Sequence, residues 1–244
     1  MFGGIGNDTV FGGVGTDGLD GGTGDDLLRG LGGDDVLSGA LGQDTIMGGD
    51  GDDFASGEEG HDSIAGGDGT DTVVGNEGND TLRGGAGDDF LSANEDNDLV
   101  TGGVGDDQLD GASGLDSLYG GDGADRIFGF DGFDVLFGGE GDDLLSGGAG
   151  IDIIRGGAGD DTMTGGIGAD TFVFARGQGT DRVTDFVNNV DKLDLRAFDL
   201  GSVAAVTALA SASGFGLRID VPGEGMIFVT GLTLATLSAA DVLL

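Results

Sequence analysis

An aspartate recurs at every ninth residue through most of this chain, and only a fold with a nine-residue structural period accommodates such a pattern. From residue 3 to residue 173 the sequence divides without insertion into nineteen units of the form G-G-x-G-x-D-x-U-x, where U is large and apolar. The sixth position is Asp in every unit: Asp8, Asp17, Asp26, Asp35, Asp44, Asp53, Asp62, Asp71, Asp80, Asp89, Asp98, Asp107, Asp116, Asp125, Asp134, Asp143, Asp152, Asp161 and Asp170. The eighth position is large and apolar throughout, Ala55 excepted. The first and fourth positions are Gly in every unit but the eleventh, where Ala93 and Asp96 replace them.

Glycine at the first, second and fourth positions permits positive φ, so each unit reads as a six-residue turn followed by a three-residue strand. Only the middle residue of that strand is reliably apolar, so it points inward while its neighbours point outward. One such strand buries too little to stand alone. The units must stack, two to a coil of 18 residues, into an all-β parallel β-roll, a solenoid with two sheets. Val10, Leu28, Ile46 and Leu82 are then expected on one inner face, and Leu19, Leu37, Val73 and Leu91 on the other.

Stacked turns bring each Asp near the backbone carbonyls of the unit two places on. Carboxylates with carbonyls are the ligand set of Ca²⁺, whereas Zn²⁺ and Cu²⁺ take His or Cys. The chain has one His and no Cys, so the nineteen aspartates are read as ligands of multiple Ca²⁺ ions, up to about 17 inter-turn sites. The repeats hold 38 acidic residues against 4 Arg. Without cations that density of carboxylate keeps the chain expanded, so binding and folding are expected to be coupled.

The formal charge of −37 opposes nucleic acid as a partner. No apolar run approaches the ~20 residues of a membrane span, and the start, Met1-Phe2-Gly3-Gly4, lacks the regions of a signal peptide. Zero Cys makes metal ions rather than disulfides the expected cross-links.

These residues resemble the RTX calcium-binding repeat, and units such as Gly21-Gly22-Thr23-Gly24-Asp25-Asp26-Leu27-Leu28-Arg29 fit it position by position. Beyond residue 173, Gly179-Thr180-Asp181-Arg182-Val183-Thr184-Asp185-Phe186 and Asp191-Lys192-Leu193-Asp194-Leu195 are similar to the C-terminal region of serralysin-type metalloproteases and related secreted hydrolases. The closing Asp241-Val242-Leu243-Leu244 resembles the end of their uncleaved export signal. The resemblance implies Ca²⁺ between successive turns, the bacterial type I secretion apparatus as a partner, and an extracellular location. It divides the chain into a roll, 1–173, and a cap with secretion signal, 174–244. It leaves two other roles open: the C-terminal part of a hydrolase whose catalytic domain lies upstream, or a cell-surface spacer.

No catalytic constellation accompanies the repeats. His61 is the only His, in a turn, and it supplies neither an H-E-x-x-H zinc site nor a persuasive triad, so this chain reads as no enzyme. Dyads such as Asp25-Asp26 and Asp52-Asp53 recur with the repeat, as ligand and solvated neighbour rather than acid–base pairs. Unit 11, Ala93-Asn94-Glu95-Asp96-Asn97-Asp98, loses all three turn glycines and is expected to hold calcium weakly or not at all. Phe128, Phe130, Phe133 and Phe137 cluster at unit 15, either packing against the tail or forming a partner surface. The tail itself has no nonapeptide register. It is read as a hairpin of residues 216–221 and 226–229 that covers Met163 and Phe172, plus a helical face of Val203, Val206, Leu209 and Ala210.

Overall fold

In the computed structural model, which describes residues 1–214 and 216–244, the chain forms two compact units, Met1–Gly123 and Ala124–Leu244. Both are built from parallel strands that return every 18 residues. In the first unit, one sheet runs from Phe2–Ile5 through Gly18–Thr23 and Val36–Leu41 to Gln108–Gly114, and the other from Thr9–Val14 through Leu27–Gly32 to Ser117–Asp122. The register is constant, with Leu82 beside Ile64 and Val100, and Leu91 beside Val73 and Leu109. The sequence thus predicts the β-roll and its two inner columns correctly.

Those columns form the core. Leu28, Leu37, Ile46, Val73, Leu82 and Leu91 are fully buried, and so is Ala55 at the one small position. The strands are longer than the three residues expected. Most run six residues, through the apolar position and on across the first three positions of the next unit, so that Gly85 pairs with Gly103 and Ala86 with Val104. Positive φ does not end the strand here, because the neighbouring coil repeats the same conformation and its polar groups stay aligned.

Close stacking makes some glycines obligatory. At Gly60 (φ 144°) an added methyl would drive into the carbonyl of Gly42 in the preceding coil, whereas Gly15 (φ 101°) faces open space. Elsewhere the left-handed position is filled by other residues, including Leu31, Ala40, Glu58, Asn76, Asn94, Asp96, Ala112 and Phe130. Unit 11 keeps the turn shape without glycine, with Asn94 at φ 80° and Asp96 at φ 77°.

In the second unit the tail prolongs both sheets. Gly179–Val183 pairs in parallel with Thr162–Gly168, placing Val183 beside Met163, and Lys192–Asp194 pairs with Thr171–Val173, placing Leu193 beside Phe172. The predicted hairpin forms from Gly216–Val221 and Gly225–Val229, but its second strand lies against Gly179–Val183 rather than on Met163. Ala210–Ser213 adds an antiparallel edge strand, so Ala210 leaves the expected helical face. That helix is Val203–Leu209, capped by Ser202 and burying Val206. Phe130 and Phe133 stay 47% and 54% exposed, so the tail does not cover them. Among the described residues no helix is long and apolar enough to cross a membrane.

The contrast between two fourth-position glycines is testable by denaturant unfolding in saturating calcium. Gly15→Ala should cost about 1–2 kcal/mol, the left-handed penalty alone, and Gly60→Ala distinctly more. Equal losses would show that coil-to-coil contact does not limit that position.

Candidate metal centre

A sixth-position aspartate with a coil before it reaches back to that coil. Its Oδ1 accepts the backbone N–H of the aspartate 18 residues earlier, as from Asp44 to Asp62 (2.7 Å), Asp80 to Asp98 (2.7 Å) and Asp152 to Asp170 (3.0 Å). The series runs from Asp8→Asp26 to Asp98→Asp116 in the first unit and from Asp125→Asp143 to Asp152→Asp170 in the second. All the predicted aspartates lie on this ladder. Asp8 and Asp17 are half-exposed in the first coil, and the rest are buried.

The other oxygen is the informative one. Oδ2 is buried without a hydrogen-bond partner at every ninth residue from Asp26 to Asp98 and again from Asp143 to Asp170. It lies over the first glycine of its own turn: a methyl added to Gly48 would strike Asp53 Oδ2 and come within 2.6 Å of the Gly66 carbonyl oxygen. Carboxylate and carbonyl therefore converge on one cradle that a side chain would fill. In unit 11 that place belongs to the buried methyl of Ala93.

Burial of an uncompensated charge raises the carboxyl pKa, and the neighbouring aspartates raise it further, against the lowering effect of the backbone N–H. Asp44, Asp53, Asp80, Asp89, Asp152, Asp161 and Asp170 rise to about 6, and Asp98 and Asp143 to about 7.

A second ladder runs outside the first and in the opposite sense. Fifth-position side chains accept the N–H of the following coil: Asp52 Oδ1 from Thr70 (2.8 Å), Asn79 Oδ1 from Asn97 (2.9 Å) and His61 Nδ1 from Asn79 (2.7 Å). The outer member of each dyad is thus a rung as well as a solvated neighbour, and His61 is one of those rungs.

The sequence reading missed two rungs in the tail. Asp161 donates its N–H to Asp181 Oδ1 (3.3 Å) and Asp170 to Asp191 Oδ1 (3.0 Å), at sequence separations of 20 and 21 rather than 18. Burial, then the nearby Asp161 carboxylate, pushes Asp181 up to about 8. The signal was present: Gly177-Gln178-Gly179-Thr180-Asp181-Arg182-Val183 is G-x-G-x-D-x-U displaced by two residues, with both glycines at positive φ. Around Asp191 only D-x-U survives, and Asn189 (φ 62°) stands for the fourth-position glycine.

The donor set is one carboxylate oxygen per turn with backbone carbonyls. Among the described residues no three His, Cys, Asp or Glu side chains gather into a metal cluster. All-oxygen donors of this kind fit Ca²⁺, and the orphaned Oδ2 atoms are where such an ion would bind.

The RTX calcium-binding nonapeptide repeat model matches the chain in overlapping stretches from 1–19 and 17–46 to 137–172 and 146–182. No curated protein matches. Among solved structures, the AlgE6R3 subunit of the Azotobacter vinelandii mannuronan C5-epimerase is 26% identical, covering 65% of this chain and 78% of its own, with a TM-score of 0.32. The extracellular lipase LipA of Serratia marcescens is 18% identical, covering 97% of this chain and 40% of its own, with a TM-score of 0.34.

The raised carboxyl pKa values fix a sign. The folded ladder binds protons more tightly than the unfolded chain, so without divalent cations stability is lost as pH rises from about 4 through about 6–7. In calcium-free buffer, circular dichroism should show more β-structure near about pH 5 than near about pH 8. The reverse order would mean that the aspartates are not buried together.

Proposed function

The chain belongs to the RTX calcium-binding nonapeptide-repeat family, and from that membership we propose that its aspartate ladder binds multiple Ca²⁺ ions and that the roll folds as they bind, outside the cell, after type I secretion. The observation that carries this reading is the row of buried, unpartnered Asp Oδ2 atoms. Bound Ca²⁺ supplies the positive charge that lets those oxygens leave water. The protein's part is to hold each carboxylate in place through its Oδ1 hydrogen bond and to offer turn carbonyls beside it. At cytosolic calcium the acidic repeats stay extended and can be threaded outward. At extracellular calcium, sites of about 10⁻⁴–10⁻³ M affinity fill and the roll forms.

In this reading residues 1–173 are the calcium-binding roll and 174–244 cap it and carry the export signal. Asp181 and Asp191 extend the ladder into the cap, which ties the closing segment to the same cation-dependent order. The chain itself carries no catalytic role.

A largely disordered chain in chelator and a β-rich one in millimolar Ca²⁺, with Mg²⁺ a poor substitute, is the expected circular dichroism result. A β-rich spectrum in chelator at neutral pH, unchanged by calcium, would refute the coupling. The cradle argument makes a finer prediction. Asp143→Asn should raise the calcium midpoint more than Asp98→Asn, whereas Ala93→Gly should lower it by emptying the unit 11 cradle. A midpoint raised by Ala93→Gly would show that the first position does not border the ion.

A further inference from the structure

The turns on one edge of the second unit are apolar where the repeat elsewhere is polar. Residues 129–134, 147–152 and 165–170 are the turns whose aspartates, Asp134, Asp152 and Asp170, stack in one ladder. Their fifth positions are Phe133, Ile151 and Ala169, and their third positions, in register along the sheet, are Asp131, Ala149 and Ile167. In the first unit the fifth-position residues of the corresponding turns, among them Asp25, His61 and Asn79, accept the N–H of the next coil. Phe133 and Ile151 have no side-chain atom that can do so, and the outer ladder stops on this edge. On the opposite edge of the same unit it continues, through Asp142 and Asp160. The exchange of rungs for apolar side chains is therefore local, not a drift of composition along the chain.

These side chains face water. Phe130, Phe133, Ile151 and Ile153 are about half exposed, and Ile167 is 80% exposed. Phe130 stands at φ 70°, where the next two coils hold Gly148 and Gly166, so the chain accepts a left-handed Phe, at about 1–2 kcal/mol, to place a ring there. Within the three turns Asp131 is exposed and the ladder aspartates are buried. At the capward end Asp185 is half-buried and accepts the N–H groups of Gly165 and Gly166 (2.9 and 2.8 Å). The opposite edge carries Glu140, Asp142 and Asp160, all exposed. A contiguous apolar strip of this kind, on a chain of net charge −37, belongs neither to the core nor to a surface built for solubility.

We propose that this strip is where two copies of the chain meet, side by side, about a two-fold axis that runs along it. Charge points to the place: two chains that each carry −37 repel wherever acidic turns face one another, and of the two turn edges in this unit this is the one that lets them close. Shape points to the partner. In two of the three turns a large residue sits across from a small one, Ile151 from Ala149 and Ile167 from Ala169, on alternate sides of the strip. The axis sets each Ile over the Ala of the second copy, which makes the strip complementary to itself. The strip is one turn wide and two coil steps long, roughly 10 Å. That is short of the ~800 Å² per partner of a standard interface, so the dimer is weak and depends on concentration. Only a folded roll presents the strip, so the inference rests on the calcium-filled state proposed above, which also lowers the charge on each copy. Because like charges oppose an apolar contact here, added salt should strengthen it.

Sedimentation velocity of the full chain in millimolar Ca²⁺, over a range of protein concentrations, should show monomer passing to dimer and to nothing larger, since a two-fold contact closes on itself. Association should tighten as NaCl is added. The Ile151→Asp/Ile167→Asp double variant should weaken it at least about tenfold. Both substitutions introduce the residue that the repeat uses at those positions elsewhere, as at Asp25 and Asp50, so the roll should still form. Leu144→Thr, at an exposed Leu beside the opposite edge, should dimerise as the parent does. Circular dichroism of the same samples separates the two readings. A chain without β-structure in calcium would remove the folding proposal and this one with it, whereas a β-rich chain that stays monomeric throughout would overturn this one alone. A dimer unchanged in the folded double variant, a dimer that salt dissolves, or a monomer that binds phosphatidylcholine vesicles through the same residues would overturn it as well.

Discussion

From Asp26 to Asp98, and again from Asp143 to Asp170, every ninth residue buries a carboxylate oxygen that no hydrogen-bond donor reaches, and the rest of the molecule is arranged around that deficit. The Oδ1 atoms are satisfied by backbone N–H groups of the neighbouring coil, which fixes every carboxylate in one orientation. The Oδ2 atoms are not satisfied, and they point to where turn carbonyls also converge. One buried aliphatic side chain per unit, worth about 2–3 kcal/mol, does not by itself offset the ordering of nine residues, several of them glycine. A cation between the turns supplies what the thin apolar column lacks. The same placement explains why acid and calcium act in the same direction on the empty roll: both remove negative charge from oxygens that have left water.

The stack and its ladder were legible because both are periodic. Nineteen in-register aspartates determine which residues lie one above another, and the single apolar position determines which side faces in. What escaped the reading is what depends on the neighbouring coil rather than on the residue itself. Three-residue strands were expected because the glycines looked like breakers, yet a parallel neighbour with identical φ values carries the pairing through them. Leu31, Ala40 and Phe130 occupy left-handed positions that composition alone assigns to glycine; there the backbone conformation is imposed by the stack, and the side chain can still project outward. Asp181 escaped because a two-residue insertion hid its register, and Asp191 because its turn retains almost nothing of the motif. The fifth-position rungs escaped because an exposed Asp, Asn or His looks solvated until the next coil's N–H is placed above it.

The fold also separates its chemistries. The buried ladder is invariant along the array because each rung completes its neighbour. The outward strand positions contribute nothing to that ladder and are free to vary, and the acids of the array gather in the turns instead. Unit 11 marks the limit of tolerance at the turns: its backbone keeps the shape with Asn94 and Asp96 at positive φ, while Ala93 places a methyl in the cradle that glycine leaves open elsewhere. Shape and occupancy are thus distinct demands, and only the second requires glycine at the first position.

The central claim is that folding and cation binding are one event. Equilibrium dialysis against rising calcium, with the fraction folded measured on the same samples, tests it most directly. The account predicts that ions bound per chain and fraction folded rise together along a single steep curve, ending near one ion for each stacked pair of turns. A chain that is fully folded before ions bind, or that binds its full complement while still unfolded, would contradict it.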